Sequence, residues 1–201
     1  MLTNTLDIQS YVQQIGDVLV RYFEQFPEDA ERLSVLRDQI DKRSAELTHR
    51  KGLPGHLTAS ALVLDPPTNS FLLIHHNFLK RWLQPGGHMD ACEDPVAAAK
   101  RELEEEVGSM TVLLHPWQQT HGIPLDIDSH QIPVNAAKQE PEHLHHDFQY
   151  IFLLDGPAPT PRLQEDEVAA FRWASADELL AGTCGRRLAR TVQKMQSLKL
   201  F

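Results

Sequence analysis

Gly86-Gly87-His88-Met89-Asp90-Ala91-Cys92-Glu93-Asp94-Pro95-Val96-Ala97-Ala98-Ala99-Lys100-Arg101-Glu102-Leu103-Glu104-Glu105-Glu106-Val107-Gly108 reads as a loop that becomes a helix. Asp94 puts a short acceptor side chain ahead of the first turn, Pro95 fills the first helical position, where its missing N–H costs nothing, and Gly108 can end the helix. Glu102, Glu105 and Glu106 are spaced i, i+3, i+4, which at about 3.6 residues per turn gathers three carboxylates on one patch. Val96, Ala99, Leu103 and Val107 form a separate apolar stripe, so the helix can pack on a core while its acidic patch looks into a cleft. Like charges at these spacings destabilise a helix by roughly 0.2–0.5 kcal/mol per pair, and only Lys100 and Arg101 are near enough to offset them. A divalent cation resolves the conflict. Oxygen ligands in this number suit Mg2+ or Mn2+, with water and substrate phosphate oxygens completing the octahedron.

The same stretch has glycine, five residues, glutamate, seven residues, then Arg-Glu-apolar, one residue, Glu-Glu, one residue and glycine. It resembles the Nudix box, with Gly87, Glu93, Arg101, Glu102, Leu103, Glu105, Glu106 and Gly108 in register and only the trailing apolar position departing, as Ser109. The resemblance implies a Nudix-type α/β/α sandwich with a mixed sheet over about residues 57–198. It also implies a hydrolase in which Glu102, Glu105 and Glu106 hold the metal, joined by the main-chain carbonyl of Gly87. In many members an acidic residue just before a late strand reaches the metals, and Glu167 is the first choice here, with Glu165 behind it. Glu93, Arg101 and Gly108 carry structural roles in the motif. The planar fork of Arg101 aims Glu93 or Glu105, so it supports catalysis by positioning. Glu105 and Glu167 are both candidates for the general base that takes a proton from the attacking water.

Ahead of the box, Ile8, Tyr11, Val12, Ile15, Val18, Leu19, Tyr22, Phe23 and Phe26 keep a helical rhythm until Pro27. Leu33, Leu36, Ile40 and Leu47 predict a second helix through about Glu46, giving a helical hairpin over 1–50 before a domain at 51–201. The polar face of the hairpin mixes acids and bases, which favours docking on the chain's own core or on a second copy in a homodimer over a membrane surface. Leu57–Leu64 and Phe71–His76 read as paired strands around the Pro66-Pro67-Thr68-Asn69 turn.

After the box, Ser109–His115 is expected to be a strand and Trp117–Ile132 a long irregular connection carrying Asp126, Asp128 and His130, either a surface loop or part of the substrate cleft. In the run from His143 to Leu154, Leu144, His146, Phe148, Tyr150, Phe152 and Leu154 share one face at a period of two. His143, His145, Asp147 and Gln149 share the other, as suits a strand running from a cleft into the interior. These three, His143, His145 and Asp147, are candidates to bind substrate phosphate or to position the acidic residues. A zinc site using His143 and His145 ranks lower, because sequence names no third ligand. A strand through Phe171-Arg172-Trp173 ends at Ser175, which with Glu178 starts a short helix stopped at Gly182, and a last helix carries Leu188, Val192 and Met195 on one side. Phe78, Trp82 and Trp117 suit either stacking on a base or a core.

At 201 residues the chain accommodates one catalytic domain and an appendage. A net charge of −9 argues against a nucleic-acid surface. Cys92 and Cys184 make no disulfide framework, and no apolar run approaches the roughly 20 residues that cross a bilayer, so a soluble cytoplasmic protein is expected. The function that the resemblance implies is metal-dependent hydrolysis of the diphosphate linkage in a nucleoside diphosphate joined to a sugar, alcohol or similar group. The alternatives are a nucleoside triphosphate pyrophosphatase of the house-cleaning kind, a regulatory domain that binds a nucleotide without turnover, and, last, an isoprenoid diphosphate isomerase, for which neither cysteine is suitably placed.

Overall fold

An unbroken run of buried residues, Gly55–Asp65 (β1), is the strand on which the sheet is built. The computed structural model describes residues 3–135, 139–158 and 160–201, with side chains from residue 8 onward. β1 runs parallel to His143–Leu154 (β7), from Gly55 beside Leu144 to Leu64 beside Leu153. Ser70–His76 (β2) follows β1 through the expected turn but pairs with it only at Leu64–Phe71 and Asp65–Ser70. Arg81–Leu83 (β3) then leads to Gly86–His88 (β4), and β4 takes the place beside β1 at Thr58, Ala59 and Ser60. β2 instead pairs with β3 and with Val168–Ser175 (β8). Val112–Leu114 (β5) and Asp126–Ile132 (β6) lie antiparallel to β7. The sheet is therefore mixed, as expected.

Side chains alternate along a strand, so this sheet serves two cores. Leu57, Ala59, Ala61 and Val63 of β1, with Phe148, Tyr150 and Phe152 of β7, face one. Leu62 and Leu64, with Ile151, face the other. The first is closed by Pro95–Val107 (α3) through Ala99, Leu103 and Val107 of the predicted stripe, with Ala98 buried beside them and Val96 only partly buried. Arg186–Ser197 (α6), beside Ala176–Leu180 (α5), closes the second with Leu188, Val192 and Met195, each side chain worth about 1.5–3 kcal/mol on burial.

Thr3–Gln25 (α1) buries Tyr11, Val12, Ile15, Leu19 and Tyr22 in the first core, and Phe26, just beyond it, joins them. The apolar face of the N-terminal segment thus meets the chain's own sheet. The Tyr11 hydroxyl also donates to the Glu93 carbonyl at 2.6 Å, tying α1 to the loop ahead of α3. Ser34–Asp41 (α2) is shorter than its periodicity suggests. Arg43 adopts φ 50°, and the Ser44 N–H returns to the Gln39 carbonyl at 2.9 Å, a left-handed stop that leaves Leu47 to a separate 3-10 turn.

Two expectations beyond the box are corrected. The strand expected over Ser109–His115 is confined to Val112–Leu114. The irregular connection from Trp117 to Ile132 is instead a helix, Pro116–His121 (α4), followed by β6. His115 caps α4 by accepting from the Trp117 N–H, Pro116 occupies its first position, and Gly122 at φ 63° ends it. Asp126, treated from sequence as a loop residue, is fully buried. It pairs with Arg32, Arg190 and Lys194, and its carboxylate accepts from the Tyr22 hydroxyl at 2.9 Å. Asp29 joins the group through Tyr22 and Lys194. This network clips α1, β6 and α6 together.

Candidate active site

The three box glutamates lie at graded depths on α3. Glu106 is 2 % exposed, Glu102 is half-buried, and the side chain of Glu105 is 53 % exposed. β4 crosses their inner ends, and the Gly86 N–H donates to Glu106 Oε2 at 2.9 Å. A Cβ on Gly87 would fall 2.5 Å from Glu102 Oε2, so any side chain there would push that carboxylate out of its place against the main chain. Both glycines of β4 serve close approach, and neither has a positive φ. Positive φ belongs to Gly108, which ends α3 at φ 81° as the motif predicts.

Arg101 orders the cluster. Its Nε and Nη2 grip both oxygens of Glu93 at 3.0 and 2.9 Å, Nη2 also donates to the His88 carbonyl at 2.8 Å, and Nη1 donates to Glu102 at 2.8 Å and Glu105 at 3.1 Å. Both targets proposed from sequence, Glu93 and Glu105, are engaged together. The hydrogen bonds from Arg101 hold the Glu93 carboxyl below the usual range. Glu93 in turn accepts from the Asp90 N–H at 2.9 Å, fixing the loop between β4 and α3.

Glu167 stands just before β8. The Arg162 N–H donates to the Val107 carbonyl and the Gln164 N–H to the Glu106 carbonyl, at 2.7 and 3.0 Å, which moors this segment to the end of α3. Glu167 comes near enough to raise the proton affinity of Glu102 and Glu106. Burial, then repulsion from Glu102, Glu167 and Glu105, pushes Glu106 up to about 8 against the single hydrogen bond from Gly86. Burial also raises Glu102 in spite of Arg101. Carboxylates packed this densely hold a surplus of negative charge that a hard divalent cation neutralises, and Glu102, Glu105, Glu106 and the Gly87 carbonyl are the oxygen donors such an ion takes. The residues fit the metal that the motif implies.

These groups line a cleft of about 1280 Å3, which Glu105, Glu106, Glu167, His143, His145 and Asp147 all border. Asp128 and His130 of β6 border it as well, whereas Asp126 does not. Of the aromatic candidates, Phe78 and Trp82 reach the cleft, while Trp117 packs against Phe26 and stacks on His121 at 4.3 Å. Asp147 is buried, and its carboxylate already accepts from Thr58 at 3.2 Å, Ser60 at 2.8 Å and Gln149 at 3.1 Å. Burial raises its pKa. His146 faces away, held between Ser129 and Gln39.

His143 and His145 have company that sequence reasoning missed. His56 on β1 is the register partner of His145, and His130 on β6 pairs with it from the other side. The His56 ring lies 4.9 Å from His143, 4.8 Å from His145 and 5.1 Å from His88. Burial pushes His56 down to about 4; burial and the neighbouring rings push His145 lower still. No sequence signal brings His56 to His145, since the link is a parallel pairing between distant strands.

Comparison with known proteins agrees with this geometry. The sequence model of the NUDIX domain matches residues 54–195. A protein of Lactococcus lactis named "Probable DHNTP pyrophosphohydrolase" is 30 % identical over 147 residues, 73 % of this chain and 80 % of the relative. A Rhodospirillum rubrum "RNA pyrophosphohydrolase" is 35 % identical over 63 residues, 31 % of this chain and 38 % of the relative. Among solved structures, a C. elegans Ap4A hydrolase binary complex superposes with TM-score 0.55 at 16 % identity, over 71 % of this chain and 96 % of that one. A NUDIX-family hydrolase from Clostridium perfringens superposes with TM-score 0.50 at 21 % identity, over 71 % and 97 %. The fold, the complete motif and the convergence of its glutamates in one cleft agree: this chain belongs to the Nudix family and is one of its pyrophosphohydrolases.

Proposed function

We propose that the protein uses Mg2+ or Mn2+ to hydrolyse the diphosphate linkage of a nucleoside diphosphate joined to a second group. The observation that carries this reading is the meeting of Glu102, Glu105, Glu106 and the Gly87 main chain at one wall of the cleft, with Glu167 close by. Glu102, Glu105, Glu106 and the Gly87 carbonyl hold the metal, which when bound offsets the charge of the diphosphate and acidifies a water. Arg101 keeps Glu102 and Glu105 in place before substrate arrives. Glu167 is the preferred base for the water proton, because Glu105 is already bonded to Arg101 while no hydrogen bond or ion pair holds the Glu167 carboxylate among the described residues. The cleft exceeds the roughly 300–1,000 Å3 of a typical small-molecule site, which leaves room for a group on each side of the diphosphate. Thr58, Ser60, Asp147 and Gln149 offer a polar wall, and Trp82 and Phe78 an aromatic one.

A second reading, hydrolysis of a triphosphate on a bicyclic heterocycle, is favoured by the name of the Lactococcus relative. Phosphate release through a coupled phosphatase, across nucleoside diphosphate sugars and alcohols, dinucleoside polyphosphates, nucleoside triphosphates and dihydroneopterin triphosphate, separates the two. Turnover concentrated in the first classes and abolished by EDTA is the expected result. Turnover confined to triphosphates selects the second reading, and metal-independent turnover overturns both.

A further inference from the structure

We infer that His56, His143 and His145 form a second metal site, built for a divalent transition ion of the zinc class and separate from the glutamates of α3. One ligand nitrogen from each of the three rings can be chosen so that all lie within 4.8 Å of one another. A tetrahedral zinc ion with Zn–N bonds near 2.0–2.1 Å holds its nitrogens about 3.4 Å apart, a distance within reach of small side-chain rotations.

The hydrogen bonding around the rings already has the form of a ligand shell. His143 Nδ1 lies 2.8 Å from the Pro141 carbonyl, and His56 Nδ1 lies 3.4 Å from the Gly52 carbonyl. A carbonyl can only accept, so each Nδ1 carries the proton, and each Nε2 keeps the lone pair. Metal-bound histidines are fixed in this way, by giving the other ring N–H to a main-chain carbonyl or a carboxylate. His56 is 1 % exposed, and among the described residues neither its Nε2 nor the buried Nε2 of His145 has a hydrogen-bond partner. A buried polar atom left without a partner costs roughly 1–3 kcal/mol, and two in one cluster call for something that binds them.

Backbone pairing fixes the arrangement. His56 and His145 are register partners across β1 and β7, and His143 is two residues from His145 on the same face. The strands therefore hold the three ring bases together before any ion arrives. Imidazoles select this class of ion, whereas Mg2+ takes oxygen donors of the kind α3 offers. Three protein ligands leave a fourth position for water or another donor, and two of the three, His143 and His145, border the cleft.

The test reads metal binding, not hydrolysis, so its failure is distinct from failure of the proposed reaction. The full chain, kept in excess Mg2+, is titrated with Zn2+ against a chromogenic chelator, and Co2+ is used as a spectroscopic substitute. One Zn2+ per chain is expected, together with the visible absorption of tetrahedral Co2+. His143→Gln and His145→Gln should each weaken Zn2+ binding by roughly tenfold or more, while Glu102→Gln leaves it unchanged. Melting curves without metal establish that each variant is folded. Wild-type protein that binds no Zn2+, unchanged binding in both folded histidine variants, or binding lost only in Glu102→Gln would overturn the inference.

Discussion

Replacing Glu106 by glutamine removes the most deeply buried carboxyl of the box while leaving an acceptor for the Gly86 N–H, now 2.9 Å from Oε2. In the metal-free protein Glu106 titrates near 8, against an ordinary value of 4.5, because burial and its glutamate neighbours disfavour the anion. A carboxyl whose folded pKa is raised binds a proton in the folded state that the unfolded chain has already lost, so between about 4.5 and 8 stability falls as pH rises. The buried histidines act in the opposite sense over part of that window. His56 and His146 are held at about 4, below their ordinary 6.5, and contribute stability that grows as pH rises from about 4 to 6.5 and is then level. The interval from 6.5 to 8 therefore isolates the carboxylates. Each pH unit there costs about 1.4 kcal/mol, so wild-type protein should lose about 2 kcal/mol relative to Glu106→Gln. For a domain of this size that is about 4–8 °C in melting temperature.

The assay is a pair of melting series in EDTA at pH 6.5, 7, 7.5 and 8, repeated with saturating Mg2+. Added Mg2+ should raise the wild-type curve most at pH 8, and the variant, one ligand short, should respond less and lose at least about a hundredfold in turnover. Wild-type and variant curves that stay parallel across this interval would refute the reasoning, because Glu106 would then not be carrying a raised pKa.

Other expectations follow from single contacts. Gly87→Ala places a methyl group 2.5 Å from Glu102 Oε2 and should raise the Mg2+ concentration for half-maximal turnover by about 10–100-fold, an effect that metal titration of the initial rate checks. Arg101→Lys cannot hold Glu93, Glu102, Glu105 and the His88 carbonyl together, so turnover should fall by about 10–100-fold while circular dichroism stays native; full activity would show that the fork is dispensable. Asp126→Asn strips the counter-charge from buried Lys194 and from Arg190 and Arg32, and should cost about 3–5 kcal/mol in chemical denaturation, with a loss under about 1 kcal/mol counting against the network as a structural clip.

The box helix was legible because every rule governing it is local. Cap, proline, glycine stop and the spacing of Glu102, Glu105 and Glu106 all lie within one contiguous stretch, and α3 forms over Pro95–Val107 with Asp94 accepting from the Ala97 N–H as its cap. The two-faced pattern of His143–Leu154 was equally local, and β7 does turn its polar half to the cleft and its apolar half to the cores. The strand at Asp126–Ile132 was hidden because polar residues dominate it and its partner lies beyond a long connection. Sequence supplied Asp126 as one more acidic residue; only packing against Tyr22, Arg32, Arg190 and Lys194 decides that it is a buried anchor while Asp128 and His130, two and four residues on, border the cleft. His56 makes the same point, since its neighbour in space, His145, is chosen by parallel register between strands nearly ninety positions apart. Local propensity and periodicity determine which residues share a face of an element. Which elements then lie side by side is a property of the folded sheet, where burial and backbone pairing act over distances that no local pattern encodes.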